Sequence, residues 1–261
     1  MTAPAPVPPP SSGPGPGIGR SFVAVAGLVA RSGVSRTRIA GLLVFAAIGV
    51  VAAALTGEGT PNAVDLTEQI DGFVLRFLAP VTALLFATAA FGDMVDDGSL
   101  VYLWLRPVRR WVTALAGTAA PLATSIGVVL PATVAFALAS GSGGTGVVAA
   151  VAASTLALVA YVPIFVGLGL RIRRSLLWGL AYILIWEGAV APNSDSLARL
   201  SVRTYARSVL AGGLDAETCP GTWPCLDVFT VSVGAAVVAG ILIGVAGVAW
   251  TVRRLHVQDV P

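Results

Sequence analysis

No lysine occurs among the 261 residues; all 16 basic residues are arginine. A nucleotide-binding loop of the form G-x-x-x-x-G-K-[ST] places its lysine amine on the β and γ phosphates, so this chain carries no ATP site of that kind. Any ATP-driven work falls to a partner. Histidine occurs once, at His256, and cysteine twice, at Cys219 and Cys225. With the cysteines and the histidine predicted on opposite sides of a membrane, no metal site is expected. Serine–histidine catalysis fails for the same reason, because His256 lies in a tail and Gly141-Ser142-Gly143 in a loop on the other side. Charged residues make up 11% of the chain, whereas soluble domains carry about a quarter. An ordinary soluble domain is excluded.

What is present is apolar: 56% hydrophobic residues and a mean hydropathy of +0.87. A bilayer core takes about 20 mostly apolar residues per helix, and the uncharged runs give six spans at about residues 39–55, 73–91, 112–140, 147–170, 174–190 and 228–252. The predicted fold is an all-α integral membrane protein. Residues 1–19, rich in Pro, Ala, Ser and Gly and without side-chain charge, read as a disordered tail. Residues 21–38 read as an interfacial helix, with an apolar face at the headgroup boundary and Arg31, Arg36 and Arg38 toward anionic lipid.

With both termini in the cytoplasm, 12 of the 16 arginines fall inside, which satisfies the positive-inside rule for a multi-pass protein of the cell membrane. Arg76, Arg199, Arg203 and Arg207 fall outside or at the outer boundary, with Asp71 and Glu187 among the acidic residues there. The spans so drawn contain no facing pair of carboxylates, which excludes an intramembrane aspartyl protease. The net charge of +3 is spread over helix ends and forms no basic patch, so nucleic acid is not an expected partner. The chain reads as a non-enzyme.

The cytoplasmic segment 92–111 is the most informative. Asp93, Asp96 and Asp97 precede Gly98-Ser99; Leu100, Leu103 and Trp104 follow at helical spacing; Arg106-Pro107 punctuates before Arg109 and Arg110. A short amphipathic helix showing acid, apolar and basic surface to a cytosolic partner is predicted; a turn with interface anchors is the plainer alternative. The run Asp97-Gly98-Ser99-Leu100, then Trp104-Leu105-Arg106-Pro107-Val108-Arg109-Arg110, resembles the membrane subunits of ABC-2 type transporters, with Asp for the more usual Glu and Ser for Thr. Six spans, inside termini, the interfacial helix and a long outer segment extend that resemblance. It implies an ABC-2 (ABCG-like) transmembrane fold in which 93–110 is the coupling helix seated in an ATPase cleft. It also implies two ATPase subunits holding ATP and Mg, a second permease copy or similar partner, and no cofactor on this chain.

The outer segment 191–227 is too long for a simple turn. Arg199, Arg203 and Arg207 repeat at four-residue spacing and predict one stripe of a helix able to cap the bundle. That stripe either meets headgroups or contacts substrate at an outer gate. Cys219-Pro-Gly-Thr-Trp-Pro-Cys225, in an oxidising compartment, predicts a disulfide. Glu187, at the outer end of span five, either snorkels to water or lines a substrate path. The expected function is a permease subunit that exports an amphiphilic or lipid-like substrate. Alternatives are a non-transporting scaffold and an ion-coupled carrier, the latter needing ionisable residues at mid-membrane.

Overall fold

The computed structural model describes residues 18–33, 35–56, 61–96, 110–172, 174–216 and 229–257, and among these every regular element is helical. The tail 1–17, the segment 97–109 and the cysteines at 219 and 225 lie outside the described residues. So do the contacts predicted for Asp97, Gly98, Ser99, Leu100, Trp104, Arg106, Pro107 and Arg109, and the side chains of Asp93, Asp96 and Arg110. No disulfide is found among the described residues.

Helix α1 covers Ile18–Gly33 and α2 Arg36–Thr56. Arg36 and Arg38 therefore open the second helix and do not close the first. The buried face of α1, Val25 and Val29, packs on protein, chiefly α5 and α4 as defined below. The second span is longer than its uncharged run implies. Asn62 caps α3 (Ala63–Ile70) by accepting from the Asp65 amide at 2.9 Å, one of the orphan donors of a helix start. The helix continues through a π-helical stretch, Asp71–Leu78, into α4, Ala79–Asp96.

Helix α5 spans Arg110–Ala139 and α6 spans Gly144–Arg171, joined by a tight turn in which Gly141 takes φ +81°. Span five is α7, Ser175–Ala181, followed by a second π-helical stretch, Tyr182–Val190, and a 3₁₀ turn, Ala191–Asn193. Two short pieces follow, α8 (Asp195–Ala198) and α9 (Val202–Gly213), before the last long helix, α10 (Val233–Val257). Six segments are long and apolar enough to cross a membrane, including Ala63–Ala90 and Ser175–Asn193.

Helix α6 is the hub, touching α4, α5, α9 and α10. In lipid there is little hydrophobic force between helices, so close approach through small residues does the work. Pro163 has no N–H for the carbonyl four residues back, which frees the Val159 oxygen. Against that oxygen lies Gly244, where a Cβ would stand 2.7 Å away; a Cβ at Gly247 would stand 2.8 Å from that of Pro163. The pairing order, Leu156 with Gly240, Val159 with Gly244 and Pro163 with Gly247, shows that α6 and α10 run parallel. Arg171, Arg253 and Arg254 thus share one end of the bundle.

Candidate functional site

The two π-helical stretches pack against each other, and between them they carry Asp71, Arg76, Tyr182 and Glu187. Such i→i+5 stretches are rare and cluster at functional sites. They widen the helix locally and re-aim side chains inward. Asp71 and Glu187 are each 2% exposed, so two carboxylates do lie within the bundle. Glu187 lies within the span drawn at 174–190, and Asp71 joins it because span two begins ten residues before 73, at Ala63.

Helix α9 completes the site. It is not one of the six spans, yet it does not sit on top of the bundle as a cap. A Cβ at Gly213 would lie 2.6 Å from that of Ala149, and one at Gly146 3.1 Å from Leu214 Cδ2, so its C-terminus meets the Gly144 end of α6. Its N-terminus reaches Glu187. Twelve residues at 1.5 Å each carry it about 18 Å along the bundle. After span five the chain therefore turns back inward, and α9 returns toward the end where α6 begins. Val202, Ala206, Val209 and Leu210 form its buried face.

The row of three arginines does not form one stripe. Ser201 caps α9 by accepting from the Thr204 amide at 3.3 Å, which starts the helix after Arg199. Arg199 closes the preceding turn, exposed, with its guanidinium 5.1 Å from the Phe229 ring centre. Arg203 and Arg207 lie on α9 and point inward rather than toward headgroups or solvent. Arg203 Nε donates to Asp71 Oδ1 at 2.9 Å and Nη2 to Oδ2 at 2.5 Å, while Arg207 Nη1 lies 3.0 Å from Oδ2. Both arginine side chains are 12% exposed. The paired, planar geometry is what guanidinium and carboxylate favour. For Arg203, burial alone would lower the pKa, but the hydrogen bonds and charge of Asp71 outweigh it and the net shift is upward. Arg207 is shifted downward, first by burial and also by the like charge of Arg203, with Asp71 opposing.

Glu187 neither snorkels nor faces an open path. Oε1 accepts from the Tyr182 hydroxyl at 2.9 Å and from the Val202 amide at 3.1 Å, and Oε2 accepts from the Ser201 hydroxyl. The carboxylate thus takes the place of an anion at the N-terminus of α9, where unpaired amides and the helix dipole favour negative charge. Tyr161 stands next to Glu187, fully buried. Its ring stacks on Phe165 at 5.7 Å, and Phe165 meets Tyr182 edge-on at 6.2 Å.

Glu187→Gln should lower stability by about 1–3 kcal/mol, because the amide keeps only one acceptor oxygen and turns its NH₂ toward either the Ser201 hydroxyl or the Tyr182 and Val202 donors. Thermal unfolding of the purified chain measures it. Equal melting of Glu187→Gln and wild type would show that the carboxylate charge is not needed there.

Arg76 is the centre of the Ala63–Ala90 segment, 13 residues from one end and 14 from the other, which is about 20 Å either way. The helix extends well before it, through Asp65, Glu68 and Asp71. Its Nη2 donates to the Gly188 carbonyl at 3.2 Å. That carbonyl lacks its usual helical donor because the residue four positions on is Pro192. Phe77 stacks beneath the guanidinium at 5.5 Å, and Nε is buried without a partner.

Asp71, Tyr161 and Ser201 were invisible as site residues in the sequence. The findable signal was Asn62-x-x-Asp65, a helix start that pulls Asp71 and Arg76 into the span. Among the described residues no group of three metal-binding side chains occurs. No protein-family model matches the chain, and no curated protein is similar to it.

Proposed function

We propose that this chain is the permease subunit of an ATP-driven transporter of the ABC-2 type. It works as a homodimer or with a similar partner in the cell membrane, with both termini cytoplasmic and two separate ATPase subunits. The observation that carries the reading is an inward-turning helix inserted between spans five and six of a six-span bundle, pinned to spans two and five. A helix so placed suits a gate, since it lies beside the hub and is fastened to two different spans. The acidic–apolar–basic run at 93–110 supplies the surface for the ATPases. ATP binding there would draw two subunits together and switch access across the membrane. The scarcity of charge along most of the spans favours an amphiphilic or lipid-like cargo moving outward.

Replacing 93–110 by a flexible Gly/Ser linker of equal length should abolish co-purification of the cognate ATPase and ATP-dependent flux in vesicles, with the chain still folded. ATPase association that survives the replacement would overturn the coupling role. A second reading, an ion-coupled carrier, draws support from the buried Asp71 and Glu187. It predicts flux that follows a proton gradient after ATP is exhausted.

A further inference from the structure

The charges of the cluster are not all paired. Asp71 takes Arg203 and Arg207, with Glu68 also acting on Arg207, and Glu187 takes neutral donors. Among the described residues no carboxylate forms an ion pair with Arg76, which is part-buried and lies near the middle of the Ala63–Ala90 segment. From there an arginine side chain cannot reach either end of the helix. A carbonyl oxygen and a phenyl face solvate it in part, and Nε has nothing. An unpaired charge in a low-dielectric setting is costly unless a counter-charge arrives.

The space beside it is open. Gly72 lies one turn before Arg76 on the same π-helical stretch, and nothing stands within 4 Å of where its Cβ would be. On span five, a Cβ at Gly188 would lie 4.0 Å from Arg76 Nη2. Two glycines thus keep the approach to the guanidinium free of side chains, and Phe77 provides an apolar wall. The seam between spans two and five thus has a part-buried cation beside the open space at Gly72, which makes a notch there.

We infer that this notch binds the acidic group of an amphiphile, its carboxylate or phosphate on Arg76 and its chain along the seam. Anionic amphiphiles would then be the preferred cargo class, an extension that rests on the permease reading, whereas the binding itself does not.

The test uses the full chain in nanodiscs of zwitterionic lipid, with tryptophan quenching by dibrominated stearic acid against the matching dibrominated alcohol. Trp186, two residues from Gly188, reports the seam, and Trp186→Phe identifies its share of the signal. A charge-assisted hydrogen bond is worth about 1.5–3 kcal/mol, so the acid should bind roughly 10- to 100-fold more tightly than the alcohol. Arg76→Gln should bring the acid down to the level of the alcohol, and Arg76→Lys should keep most of the difference. Gly72→Leu, which keeps the charge but fills the notch, should weaken both. Brominated phosphatidylglycerol and phosphatidylcholine form the second arm; preference for the anionic lipid supports the same site and names lipid as its source. Equal quenching by acid and alcohol in the wild type, or an Arg76→Gln protein that still prefers the acid, would overturn the inference. No ATPase is present in the assay, so such a failure leaves the permease reading to the flux experiment.

Discussion

Asp71→Ala should unfold the chain at a markedly lower temperature than any surface change, at a cost of about 3–5 kcal/mol. The substitution removes one small side chain but strands two guanidinium groups, each 12% exposed, whose remaining acidic neighbours, Glu187 for Arg203 and Glu68 for Arg207, form no ion pair with them among the described residues. The size of the effect comes from the stranded charges more than from the lost bonds. A compensated variant separates the two contributions. Asp71→Leu combined with Arg203→Met and Arg207→Met removes all three charges, and replacing a buried ionic group by apolar side chains is often neutral or stabilising. Thermal unfolding followed by size-exclusion in detergent measures both proteins. The triple variant should recover most of the stability that Asp71→Ala loses. A single variant that melts like the wild type would mean that water reaches the arginines and that α9 is not held by them.

Gly244→Leu should have the next largest effect, because there is nowhere for its side chain to go. The atom that a Cβ would meet first is the Val159 carbonyl oxygen at 2.7 Å, a backbone atom that no rotamer change can move. Helices α6 and α10 would have to part, and the contacts at Gly240 and Gly247 would open with them. Overpacking of a tight interior commonly costs about 1–3 kcal/mol, and a contact with backbone belongs at the upper end. Gly234→Leu is the control, since nothing stands within 4 Å of its Cβ on the same helix. Equal melting of the two leucine variants would contradict the close approach of these helices.

The six spans were legible because the signal for a membrane helix is compositional: long uncharged runs announce themselves whatever their neighbours. The site was legible only in part. Glu187, Arg203 and Arg207 stood out because they are charged residues near apolar segments, but their environment did not. The partner of Arg203 is Asp71, 132 residues away in the chain, and no local pattern joins the two. Regular spacing also misled. Arg199 falls in register with Arg203 and Arg207 only if the helix is continuous, and the Ser201 cap interrupts it. Arg76 and Asp71 were read as lying at a boundary because a charged residue was taken to end a span. Here the helix runs through both, with Asp71 paired to Arg203 and Arg207 on α9 and Arg76 bonded to the Gly188 carbonyl of span five. The coupling segment 93–110 is judged from sequence alone.

The fastening of α9 has a mechanical consequence. Ser201, Val202, Arg203 and Arg207 fall within seven consecutive positions, and they answer to two different masters: Glu187 on span five and Asp71 on span two. A rigid helical turn that short cannot stretch to absorb a change in the distance between those spans. Tilting one away from the other must release either the glutamate or the aspartate, so the inserted helix behaves as a gauge of their separation. Whichever tether lets go first decides which span the helix then travels with.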